Sequence, residues 1–156
     1  MTLHAVAVLL VHLALAGVGL WLVVIDAREH RLPNRIVLPV LGALIVLLVL
    51  EGVATGDAGR MLRALLGGLA LGVFYALMHL GSKQGMGGGD VKLAAVIGVV
   101  LAWHGWWTLL LGAAAAFVLG ALFAIVLMML KRADRSTRIA FGPWMILGAA
   151  LAIAAT

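Results

Sequence analysis

An all-α, polytopic integral membrane protein with six transmembrane helices is the fold this sequence predicts, and three observations carry the prediction. First, 65% of the 156 residues are hydrophobic and only 11% are charged, more apolar surface than one soluble core of this length hides. Second, mean hydropathy is +1.22. Third, charges fall in a few clusters, and the runs between them approach or exceed the roughly 20 apolar residues that cross a hydrocarbon core of about 30 Å.

Charge, glycine and proline divide the chain into six apolar segments, roughly 3–25, 36–52, 61–81, 91–103, 106–130 and 139–155. The first lacks a basic leader region and is too long for a signal-peptide core, so a retained helix is expected. Pro33 and Asn34 precede the second, where proline is tolerated in a first turn and asparagine supports caps, which suggests a positioning role. The third contains Gly67, Gly68 and Gly72, small residues that let helices approach closely in a bilayer. The fourth is short for a span; residues near Asp90 extend it, or it tilts little, or the membrane is thinned there. Trp103, Trp106 and Trp107 sit at the turn into the fifth, as headgroup-level anchors do. In the sixth, Pro143 comes early enough not to break the helix. No repeat or linker interrupts the run, so residues 1–156 read as a single membrane-embedded domain.

Lysine and arginine give the orientation, because their excess marks the cytoplasmic side. Arg28, Arg31 and Arg35 lie in loop 26–35, Lys83 and Lys92 in loop 82–92, and Lys131, Arg132, Arg135 and Arg138 in loop 131–138. Only Arg60 and Arg63 fall elsewhere, beside loop 52–60. Both termini are therefore expected outside. The net charge of +5 serves this orientation rather than nucleic acid, since no basic stripe carries interleaved aromatics. The absence of cysteine removes disulfides, thiolate nucleophiles and cysteine zinc sites. The five histidines show no ligand spacing, and no metal or cofactor is expected. His79 is close enough to the glycine loop to touch a site there, although a lone histidine in an apolar segment is more often hydrogen-bonded structure.

Two of the six carboxylates are placed for chemistry. Asp26 closes the first apolar run and Asp90 opens the fourth, both on the cytoplasmic side of the derived topology. Alone, each is more simply read as a helix cap or a solvated loop residue. Together, two carboxylates at one membrane face can separate their proton affinities, so that one takes a proton from water while the other polarises a carbonyl. The loop before Asp90 reads Gly85-Met86-Gly87-Gly88-Gly89-Asp90-Val91-Lys92. Its glycines permit unusual backbone angles and close approach of another chain. A phosphate-binding loop is excluded because neither G-x-x-x-x-G-K-[ST] nor a strand-borne G-x-G-x-x-G is present.

The stretch GMGGGDVKLAAVIG resembles the GxGD segment of type IV prepilin leader peptidases, membrane-embedded aspartyl proteases. DAREHRLPN at 26–34 is similar to that family's first-aspartate segment, and RIAFGPWMILGA at 138–149 to its Phe-Gly-Pro segment. The resemblance covers essentially the whole chain. It implies that Asp26 and Asp90 are catalytic, with Gly87 and Gly89 as the motif glycines and Lys92 as the trailing lysine. Lys92 either favours the ionised carboxylate, neutralises the substrate or acts as a plain positive-inside anchor. The implied reaction removes the short basic leader from prepilins and pseudopilins, including Flp/Tad-type substrates, at the cytoplasmic face of a prokaryotic inner membrane. The paired-cysteine region that accompanies N-methylation in many relatives is missing here, so methyl transfer is not expected. Presenilin-type enzymes share GxGD, but their Pro-Ala-Leu element is not found in the chain. A proton-coupled transporter would place ionisable groups at helix centres, which are almost free of charge, and a non-catalytic scaffold remains the other alternative.

Overall fold

The computed structural model describes residue 17, residues 34–81, 87–131 and 140–156. Apart from Gly17, the first apolar segment lies outside the described residues, as do Asp26 and Pro33. Five helices account for the segments that follow: α1 (Asn34–Thr55), α2 (Ala58–Gly81), α3 (Gly88–His104), α4 (Trp106–Met129) and α5 (Gly142–Ala155). There is no strand among the described residues.

The connections follow from local chemistry. Gly56, at φ +67°, adopts the left-handed conformation that ends α1. Asp57 then caps α2 by accepting the Arg60 amide on Oδ1 at 2.9 Å, which satisfies one of the orphan donors of a first turn. A single residue, Gly105, separates α3 from α4; its amide donates to Leu101 O and its carbonyl accepts from Leu109 N, each at 3.1 Å. Pro143 stands in the first turn of α5, where its missing N–H costs nothing.

α3 is the central helix. It packs against all four others, and its buried residues, from Asp90 through Leu93, Ala94, Val96, Ile97 and on to Ala102, point in every direction around its axis. That explains why the shortest of the expected segments works: its length is about 25 Å at 1.5 Å per residue, and neighbouring helices rather than lipid surround it. It is also longer than its apolar run, because Gly88, Gly89 and Asp90 are already helical.

Glycine sets the helix spacing. A β-carbon on Gly98 of α3 would stand 2.5 Å from Gly67 O and 2.9 Å from Gly68 Cα of α2. One on Gly148 of α5 would stand 2.7 Å from Ala116 N of α4. Backbone thus meets backbone in both pairs, as small residues allow where helices gain little from a hydrophobic drive. Outside this core the bundle displays apolar side chains such as Val53, Leu69, Leu77 and Leu122. α2 and α4, with 24 residues each, are long and apolar enough to cross a membrane, and α5 and the Pro39–Thr55 part of α1 are shorter apolar helices.

Arg60 and Arg63, the two basic residues outside the expected cytoplasmic loops, are tied into the far end of the bundle. Arg63 donates from Nε to Ala102 O at 2.7 Å and from Nη2 to Trp103 O at 2.9 Å, closing carbonyls that the last turn of α3 leaves open. The Arg60 guanidinium lies 5.4 Å from the Trp103 ring centroid, within cation–π range. Trp103 is therefore half-buried against α2, whereas Trp106 and Trp107 are exposed as expected of anchors.

Candidate active site

Asp90 is the third residue of α3 and is 7% exposed. Among the described residues it is the buried acid; the other buried polar residue in the core, Thr108, is hydrogen-bonded to Thr156 Oγ1 at 3.2 Å. A carboxylate in such surroundings needs donors, and the GxGD turn supplies one. The Gly87 amide donates to Asp90 Oδ2 at 3.2 Å, and the Asp90 amide donates to Gly87 O at 3.1 Å. This reciprocal bond has the logic of a capping box, and the positive end of the helix dipole adds to it. The cap that accounts for an ordinary helix-end aspartate is thus present, but it holds a buried carboxyl rather than a solvated one.

Gly87 has φ −75° and ψ 145°, an extended conformation open to any residue, and Gly88 has open space where a β-carbon would go. No unusual backbone angle is needed at either; what glycine leaves here is room. Gly89 is half-buried inside α3. Lys92 is half-buried in the same helix, two positions from Asp90, and residues at that spacing emerge from different sides of a helix. Asn34 is the first residue of α1. His79 lies in the last turn of α2, where it is exposed.

Tyr75, the sole tyrosine of the chain, was not singled out from the sequence. It is 1% exposed and lies near enough to Asp90 to interact with it electrostatically. Its ring stacks on Phe117 of α4 (5.7 Å between centroids, 30° between planes) and lies 6.0 Å from Phe141. Phe117 and Phe141 are themselves 5.2 Å apart. Through Tyr75, the Phe-Gly-Pro segment and the GxGD segment converge on one end of the bundle. A lone tyrosine in an apolar helix was the available signal, since its hydroxyl must be accommodated somewhere.

A helical bundle that holds a buried carboxyl at the start of its central helix defines the class of this molecule. More particularly, residues 13–129 match the model of the type IV leader peptidase family, and the chain belongs to that family. It is 36% identical over 143 residues to a prepilin leader peptidase/N-methyltransferase of Aeromonas salmonicida strain A449, an alignment that covers 90% of this chain and 47% of the relative. Proteins of the same name from Pseudomonas putida (38% over 146 residues; 92% and 49% covered) and Escherichia coli K12 (38% over 131 residues; 83% and 56%) are similar to it as well. The chain spans about half the length of these curated relatives. No solved structure matches it.

Proposed function

We propose that the chain is a membrane aspartic endopeptidase that removes the short basic leader from prepilins, pseudopilins or Flp/Tad-type precursors at the cytoplasmic membrane face. The observation that carries this reading is the buried Asp90 of the GxGD turn, in a chain that matches the leader peptidase family over residues 13–129. In this reading Asp26 and Asp90 share the work. The ionised member takes a proton from water as that water attacks the scissile carbonyl, while the protonated member donates to the carbonyl oxygen. The carboxyl that took the water proton then passes it to the amide nitrogen as the C–N bond breaks, while the other recovers its proton from the tetrahedral hydroxyl as the product carboxyl forms. The two carboxyls titrate as a pair throughout. No metal or covalent intermediate is required. Gly87 and Gly89 leave space for the substrate backbone, Pro33 and Asn34 position the segment that carries Asp26, and Lys92 acts on the site or on the substrate by charge.

Six crossings with both termini outside agree with the basic residues of the sequence and with the partnered state of Arg60 and Arg63 at the opposite end. The relatives' names include N-methyltransferase; for this cysteine-free chain we assign proteolysis alone. Replacement of Asp26 by Asn tests the pairing. The variant is expected to accumulate in membranes and to leave a prepilin-like substrate uncut, whereas full cleavage would remove Asp26 from the mechanism. Strong inhibition by a chelator would count against a metal-free dyad.

A further inference from the structure

Tyr75 and Asp90 belong to one corner of the bundle. α2 and α3 meet where Gly98 touches the backbone of Gly67 and Gly68. Asp90 lies about 80° round α3 from Gly98, at 3.6 residues per turn. Leu101, within about 20° of Asp90 on the same row, packs on Gly112 of α4, so the Asp90 row turns toward α4. On α2, Tyr75 lies about 20° round the axis from Gly68, and its ring stacks on Phe117 of α4. It therefore leaves the α2–α3 contact on the α4 side as well. The depths agree too: with Gly72 against Ala95 and Gly68 against Val99, Tyr75 comes level with Lys92, about 3 Å along the axis from Asp90. Both residues are buried there, and they interact electrostatically.

We propose that Tyr75 is a positioning residue for the chemistry at Asp90, its hydroxyl steering the carboxyl from the α2–α4 side while the Gly87 amide holds it from the loop side. The proposal rests on the leader peptidase reading. Packing alone does not call for a tyrosine here. The rings around it, Phe74, Phe117 and Phe141, are all phenylalanines, and burying a hydroxyl is costly unless a polar group receives it. The ring of this cluster that carries a hydroxyl is the one beside the carboxyl. The cluster also fixes where that ring stands: Phe74 meets it edge-on at 5.6 Å, Phe117 stacks on it at 5.7 Å, and Phe141, the N-cap of α5, lies at 6.0 Å. A carboxyl steered from two directions keeps the orientation that attack on a peptide bond requires, and a misplacement of about 1 Å at such a centre costs up to roughly 100-fold in rate. The Phe-Gly-Pro segment then serves the site through Phe141, as a brace for Tyr75.

Tyr75→Phe keeps the ring and removes the hydroxyl. In proteoliposomes with a prepilin substrate, kcat is expected to fall about 10–100-fold with KM and unfolding temperature unchanged. The chain has one tyrosine, so an isotopic label on its Cζ gives a single magnetic-resonance signal. That signal should move in Asp90→Asn and stay in Asp57→Asn, which removes the same charge about 27 Å away along α2. A parental kcat in Tyr75→Phe overturns the proposal, as does a rise in KM alone, which would make the hydroxyl a substrate contact. A Tyr75→Phe chain that fails to accumulate makes the hydroxyl a structural group and overturns it too, and so does a tyrosine signal that Asp90→Asn leaves in place. Those outcomes leave the peptidase reading standing; a prepilin that the unaltered chain leaves uncut overturns that reading and the role of Tyr75 with it.

Discussion

Gly87 and Asp90 are bonded in both directions, amide to carboxylate at 3.2 Å and amide to carbonyl at 3.1 Å. The aspartate of the GxGD motif is therefore a structural cap and the candidate acid at once, and the two roles are separable by substitution.

Asp90→Ala removes the acceptor for Gly87 and is expected to destabilise the protein by about 0.5–2 kcal/mol, the usual range for a lost helix cap. Asp90→Asn keeps a side-chain oxygen for that amide and should unfold close to the parent. Thermal unfolding of both variants in one detergent checks the difference.

Gly98→Ala is expected to cost about 1–3 kcal/mol, as overpacking does, because its β-carbon meets the backbone of Gly67 and Gly68, which cannot move as a side chain would. Gly88→Ala meets nothing within 4 Å and occupies the variable position of the motif. It should fold at least as well as the parent and retain cleavage. Membrane yield and unfolding temperature, with a cleavage assay for Gly88→Ala, decide both.

Arg63→Ala should destabilise the bundle through the open carbonyls of Ala102 and Trp103, by roughly 1.5–3 kcal/mol if charge-assisted bonds here behave as usual. Cleavage per folded molecule should be unchanged, since these bonds lie at the end of α3 remote from Asp90. A fall in unfolding temperature without a fall in specific activity is the expected pattern.

Tyr75→Phe preserves the ring that stacks on Phe117 and should accumulate normally. Tyr75→Ala opens a cavity at a 1% exposed position, and such truncations cost about 3–5 kcal/mol. Immunoblots of membranes should show the first variant near parental abundance and the second strongly reduced.

Much of this architecture was legible because bilayer-scale apolar runs are local signals. The expected segments 36–52, 61–81 and 106–130 became Asn34–Thr55, Ala58–Gly81 and Trp106–Met129, with two boundaries unchanged and the other four shifted by one to three residues. Asp57 as a cap and Pro143 in a first turn depend on neighbours a few positions away, so they too can be anticipated. What escaped were relationships between residues distant in sequence. The Arg63 clamp joins groups 39 and 40 positions apart, and the Tyr75, Phe117 and Phe141 cluster draws on two helices and the N-cap of a third. The central place of α3 escaped for a different reason: hydropathy treats every apolar run as lipid-facing and cannot distinguish a helix that other helices enclose. In the candidate site, the motif marked Asp90 but not its burial, and the partner expected for it, Asp26, lies outside the described residues.

The central claim is that the Asp90 carboxyl performs chemistry beyond its cap. The most direct measurement is prepilin cleavage by Asp90→Asn in proteoliposomes, at matched protein amount and with an unfolding temperature equal to the parent's. The account predicts an intact fold and no detectable cleavage; cleavage at the parental rate by that folded variant would contradict it.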